Sequence, residues 1–217
     1  MNTIDSSITC DDQPIDGATL IGENRFLSSF IMPGSLEIQE KYKALTDGIS
    51  DQSGRIVSVW RYVKDIPYTQ SVNAKVNIGG RVFSRYDVWL DPAQALKAGV
   101  KLNCMNKSTL LVSLLRQELS ADKVSVCLNN VTIDGIGGHA VGYVRLEDGD
   151  YIFETTNPSI KSPFLRAEDA DIYEAVMFVN DKETRYIPST QLREPLGCCC
   201  VSWLEEYINE KLCTSYV

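Results

Sequence analysis

The run Cys104-Met105-Asn106-Lys107-Ser108-Thr109-Leu110-Leu111-Val112-Ser113-Leu114-Leu115 constrains this chain more than any other. Its residues predict a helix from Cys104 to about Gln117. Leucine and valine are so dense there that the helix must be buried on nearly every side, and other elements have to surround it. The chain has the means to do so. Of its 217 residues, 44% are hydrophobic and 23% charged, the balance of an ordinary globular domain. A chain of this length buries roughly 70% of its unfolded surface, so it needs neither metal nor disulfide to fold.

Residues 1–34 are polar, weakly patterned and interrupted by Pro14, Gly17, Gly22, Pro33 and Gly34. They read as an arm that is draped on the domain or partly disordered, with residues 35–217 forming the domain itself. Ser35 caps a predicted helix to about Thr46, and a second helix fits Gln52 to Lys64 with Ile56, Val57, Trp60 and Val63 on one stripe. Lys75 to Ile78 and Arg81 to Val88, split by Gly79-Gly80, read as a β-hairpin. Asp91-Pro92 opens a short helix that ends near Gly99. Beyond the apolar helix lie predicted strands at Lys123–Leu128, His139–Leu146, Tyr151–Thr156 and Ala175–Val179, then a terminal amphipathic helix at Ser202–Leu212. Glu147-Asp148-Gly149-Asp150 is the turn of a hairpin between the second and third of these strands. Helices first and antiparallel strands after them imply an α+β domain, not a doubly wound one.

The formal charge of -8 argues against nucleic acid as a partner, because phosphate contacts need a basic face. No stretch approaches the ~18 apolar residues of a membrane span, and no basic amphipathic segment points to a membrane surface. Met1-Asn2-Thr3-Ile4-Asp5-Ser6-Ser7 lacks the pattern of a signal peptide. The seven cysteines, at 10, 104, 127, 198, 199, 200 and 213, are odd in number and lack framework spacing, so free thiols in a reducing cytoplasm are expected. Cys198-Cys199-Cys200 reads as a buried or incidental triple. Adjacent cysteines cannot all face one tetrahedral metal, and no metal or cofactor is expected.

The chain has one histidine, His139, in Gly137-Gly138-His139-Ala140-Val141-Gly142-Tyr143. Cys104 stands at the predicted start of the buried helix. A helix N-terminus favours thiolate over thiol, and an imidazole can take and return a proton near neutral pH. Thiol catalysis also needs a group that orients the ring. Tyr151-Ile152-Phe153-Glu154-Thr155-Thr156-Asn157-Pro158 offers Glu154, with Asp150 and Asn157 as alternatives. If Leu146 pairs with Tyr151, then Glu154 shares a sheet face with His139 but lies opposite Tyr143.

Taken together, these pieces resemble the transglutaminase-like superfamily, relatives of papain-type cysteine peptidases. The resemblance rests on Cys104 opening a Leu-rich helix, Gly-Gly-His-Ala on a following strand, and an aromatic-x-x-acid-x-Thr-x-Pro element. Val59 to Tyr68 and Asp91 to Gly99 resemble the family's segments before the cysteine, and the similarity spans about residues 50–160. It implies Cys104 as nucleophile, His139 as general base and acid, and Glu154 as the orienting acid where the family usually has Asp. It also implies an oxyanion hole from the cysteine's own N–H and an upstream donor, with Trp60, Tyr86 and Trp89 as neighbours to consider. The expected activity is hydrolysis of a peptide or isopeptide amide, with a peptide or protein as substrate. A protein-glutamine transglutaminase, a peptide:N-glycanase-like amidase and an inactive peptide-binding module are the alternatives. In such an enzyme residues 1–34 can cover the cleft.

Overall fold

Ser35, Asp51 and Asn103 each end an extended stretch and turn a side-chain oxygen onto the free N–H groups of a helix. In the computed structural model, which describes residues 5–10, 13–15, 27–69, 72–78, 81–85, 89–97, 99–132, 136–170 and 173–187, those caps start three of four helices. Ser35 Oγ accepts from Ile38 N at 3.3 Å to begin α1, Leu36–Thr46. Asp51 Oδ1 accepts from Gly54 N at 2.7 Å to begin α2, Gln52–Asp65. The buried stripe of α2 is Ile56, Val59, Trp60 and Val63, the i, i+3, i+4, i+7 positions, so Val59 takes the place expected of Val57. The short α3, Pro92–Ala95, ends before the expected Gly99. Asn103 Oδ1 accepts from Asn106 N at 3.0 Å and starts α4, Cys104–Leu115.

Every residue of α4 is buried, as its composition requires. Helices α1, α2 and α3 pack around it, and a sheet closes the remaining side. Its polar residues are turned to use. Ser113 Oγ accepts from Met32 N at 3.1 Å, and Asn106 Oδ1 accepts from Leu90 N at 2.6 Å, so α4 also fastens the connecting segments.

The strands form two antiparallel sheets. Asp5–Cys10 (β1), Gln13–Ile15 (β2), Val72–Ile78 (β3) and Arg81–Arg85 (β4) make the smaller, ordered β2-β1-β3-β4. Val124–Thr132 (β5), Ile136–Leu146 (β6), Gly149–Phe153 (β7), Leu165–Arg166 (β8), Tyr173–Val179 (β9) and Thr184–Tyr186 (β10) make the larger, ordered β10-β9-β5-β6-β7-β8. One face of this sheet meets α4 through Val126, Ala140, Val144, Phe153 and Met177. The opposite face carries a smaller cluster of Cys127, Val141, Ile152 and Phe178. Gly142 sits where α4 comes closest: a Cβ there would lie 2.7 Å from Leu111 Cδ2 and 3.1 Å from Phe153 Cβ. Among the described residues no helix is long and apolar enough to cross a membrane. The predicted terminal helix at 202–212 and the cysteines at 198–200 and 213 lie outside the described residues.

The β6–β7 hairpin is tighter than the sequence predicts. Only Glu147 and Asp148 form the turn, and Gly149 and Asp150 already pair with Leu146 and Arg145. Gly149 makes this possible with φ at +149°, a conformation few L residues adopt. Tyr151 therefore pairs with Val144, not Leu146, and Phe153 with Gly142. The two-residue slide keeps the face of every side chain but carries the end of β7 further along β6.

Candidate active site

Extending the observed register by one residue sets Glu154 opposite Val141. From there it is two positions from His139 on the same side of the pleat, a diagonal pair that long side chains can span. They do span it: His139 Nε2 and Glu154 Oε2 are 2.8 Å apart. The expectation that Glu154 lies opposite Tyr143 fails because the turn is two residues shorter, and neither strong twist nor a bulge in β6–β7 is needed. The extra methylene of glutamate covers the diagonal offset.

Neither alternative acid or amide takes this place. The Asp150 carboxylate bonds the Tyr143 hydroxyl and accepts from Arg145 Nε at 3.1 Å. Asn157 Oδ1 accepts from Ser159 N at 2.9 Å. Asn157 contributes instead through its backbone, donating its N–H to Glu154 Oε1 at 3.1 Å.

Glu154 is enclosed by donors. Oε1 accepts from Thr156 N at 2.5 Å, Thr156 Oγ1 at 2.7 Å and Asn157 N. Oε2 accepts from the Tyr173 hydroxyl at 2.8 Å as well as facing His139. Burial alone would raise the Glu154 carboxyl, yet the His139 contact and the Thr156 donors outweigh it and hold the group well below the usual carboxylate range. The segment that carries it is held by the helices. Trp60 Nε1 donates to the Glu154 carbonyl at 2.8 Å, Lys64 Nζ to the Asn157 carbonyl at 2.6 Å, and Lys107 Nζ to the Thr155 and Lys64 carbonyls at 3.2 and 2.9 Å. Lys107 is buried, and that burial, with the nearby Lys64 charge, lowers its ammonium to about 8.

Cys104 completes the cluster. Its side chain acts on the His139 ring, raising the pKa of the imidazole as the Glu154 carboxylate does. Glu154 occupies Nε2 and leaves Nδ1 as the second nitrogen of the ring. Burial works against a charged ring here, but the hydrogen bonds and charges of Cys104 and Glu154 prevail and push His139 up to about 10 from its ordinary 6.5. The direction favours the protonated ring. Exposure is graded across the three: 19% of the His139 side chain is open to solvent, Cys104 is 5% exposed and Glu154 1%. The thiol and imidazole thus keep one open edge, while the carboxylate behind them is sealed.

Of the neighbours considered for an oxyanion hole, Trp60 is committed to the Glu154 carbonyl. Trp89 packs on Phe30 with ring centroids 5.6 Å apart, and Tyr86 lies outside the described residues. Asn103, next to Cys104 and fully buried, has an Nδ2 with no hydrogen-bond partner. Sequence reasoning missed Tyr173, Lys107 and the role of Thr156. Thr156 alone had a local signal, two residues beyond the acid in a strand-ending Thr-Asn-Pro. Among the described residues no group of three or more His, Cys, Asp or Glu side chains is gathered as a metal site would need.

No protein-family model and no curated protein matches the sequence. Among solved structures the chain is similar to LapG of Legionella pneumophila. The EGTA-treated form is 13% identical with a TM-score of 0.51, over 82% of this chain and 95% of that one. The calcium-bound form gives 13% and 0.45, over 77% and 98%. At this identity the first likeness speaks for the fold alone: helices on an antiparallel sheet, an α+β arrangement.

Proposed function

We propose that the chain is a cysteine-dependent amide hydrolase, a peptidase or isopeptidase, with Cys104 as nucleophile, His139 as acid and base, and Glu154 as the orienting acid. One observation carries the reading: the only histidine of the chain is shared between a thiol at a helix N-terminus and a buried, fully hydrogen-bonded carboxylate. A buried ionised carboxylate is costly, and five donors are spent on keeping this one charged beside the ring. The resemblance of the Cys104, His139 and Glu154 segments to the transglutaminase-like pattern supports the same direction.

The chemistry follows from the charges. A protonated ring and the helix N-terminus both favour the charged sulfur, and Cys104 attacks the amide carbonyl as a thiolate. His139 then gives its Nδ1 proton to the departing amine as the C–N bond breaks, leaving a thioester. Water adds to the thioester, its proton passing to His139, and the C–S bond breaks to release the carboxylic acid and restore the thiolate. Glu154 keeps the Nε2 proton in place throughout, so Nδ1 alone shuttles. A peptide-binding module has no need of this pairing, and the 2.8 Å contact supports the enzyme reading over it.

A peptide library digested by the protein and mapped by mass spectrometry tests this. New carboxyl termini should appear with wild type and fall by at least about a thousandfold with Cys104→Ala. A labelled primary amine added to the same mixture should remain largely unincorporated. Cleavage that survives Cys104→Ala would end the proposal, and incorporation in place of release would favour a transglutaminase.

A further inference from the structure

Tyr173 touches both members of the His139–Glu154 pair, and it comes from a strand that no local pattern connects to them. Its hydroxyl donates to Glu154 Oε2 at 2.8 Å, the same oxygen that faces His139. Its ring lies along the imidazole, with centroids 6.0 Å apart and planes 27° from parallel. β9 reaches this point through its pairing with β5, whose register shifts between Leu128 and Asn129 so that Asn129 opposes Ala175 and, on its other side, His139.

The two oxygens of Glu154 have different duties. Oε1 is fixed by three donors from the chain just beyond it, which suffice to set the orientation of the carboxylate. Oε2 is left with two partners, the imidazole and the phenol, which share one acceptor. A second donor on an acceptor withdraws charge from it and weakens its hold on the first. We propose that Tyr173 is a positioning residue of this centre, acting through Glu154 to limit how firmly the imidazole proton is held. The assignment rests on the acyl-transfer reading above. Its value there is plain: an imidazole that clings to its proton is a poor acid toward a leaving amine.

Other charges near the carboxylate do not substitute for the phenol. Lys107 of α4 and Lys64 of α2 feel the Glu154 charge, but both ammonium groups are bonded to backbone carbonyls. Cys104 acts on the ring directly. Burial and the Glu154 charge and hydrogen bond hold the Tyr173 hydroxyl far above the ordinary phenol range, so it stays a donor at every pH of interest.

The test exploits the single histidine, whose ring nitrogens give an unambiguous titration by ¹⁵N nuclear magnetic resonance in histidine-labelled protein. Tyr173→Phe keeps the ring and its stacking but removes the competing donor, so the His139 pKa should rise by ~0.5 unit or more. A 3-fluorotyrosine placed at position 173 keeps ring and hydroxyl and makes the hydroxyl the stronger donor, so the same titration should move down. That second protein also keeps the proposal testable if Tyr173→Phe does not fold. Titrations that coincide with wild type in the proteins that fold, or that move in the opposite sense, would overturn it. Iodoacetamide alkylation of Cys104 in wild type and His139→Ala separates this from failure of the broader reading. A linked thiol with an unmoved titration rejects only the Tyr173 assignment, whereas an unlinked thiol rejects the acyl-transfer reading itself.

Discussion

The His139–Glu154 contact has a pH signature of its own. The folded-state pKa of His139 lies near 10 against an ordinary 6.5, so its contribution to stability is complete below about pH 6.5 and is lost as pH rises through about 10. Glu154 behaves oppositely: its contribution is present above its ordinary 4.5 and is lost as pH falls through its depressed folded value. Glu154→Gln removes the charge that sustains both. We expect it to cost about 1–3 kcal/mol at pH 7, read by urea denaturation, with the gap to wild type narrowing toward pH 10 and again in strong acid. A gap that stays constant over that range would show that the pair is not ionised. Cys104, His139 and Glu154 were all legible as residues, because each is a chemically distinctive side chain in a fitting local setting. Tyr173 was not. It is one of ten tyrosines, and its partnership exists only through strand pairing over a distance that local pattern does not reach.

Among the elements, α4 was the most legible, since a helix so dense in leucine and valine has to be central. Helices α1 and α2 were legible from their caps and spacing. The two-residue edge strand β8 and three-residue β10 were not, being too short for any period to show. The β6–β7 register failed at the turn, because Glu147-Asp148-Gly149-Asp150 suits a two-residue or a four-residue connection equally well and only Gly149 in its observed conformation decides. Packing of α4 on β6 depends on another glycine. Gly142→Val would drive methyl groups into Leu111 and Phe153, and we expect a loss of about 2–3 kcal/mol by chemical denaturation. Because the thiol and imidazole ride on those two elements, Cys104 alkylation in this variant should slow even at temperatures where it remains folded.

Across the whole molecule, one helix wrapped by three others and laid on a six-stranded sheet delivers its N-terminus to the strand that carries the only histidine. Order along the chain alone indicated the α+β class, and the fold likeness to LapG agrees with it. The smaller sheet was half legible: β3 and β4 follow from the Gly79-Gly80 punctuation, whereas β1 and β2 lie in a polar stretch without alternation. The proposed chemistry requires that the Cys104 sulfur be an imidazolium-paired thiolate. The most direct measurement is the rate of iodoacetamide modification at each cysteine at pH 6, followed by mass spectrometry in wild type and His139→Ala. Cys104 should react first, and loss of the imidazole should slow it by about tenfold or more. A Cys104 that reacts no faster than the other thiols, and at the same rate without His139, would contradict the account.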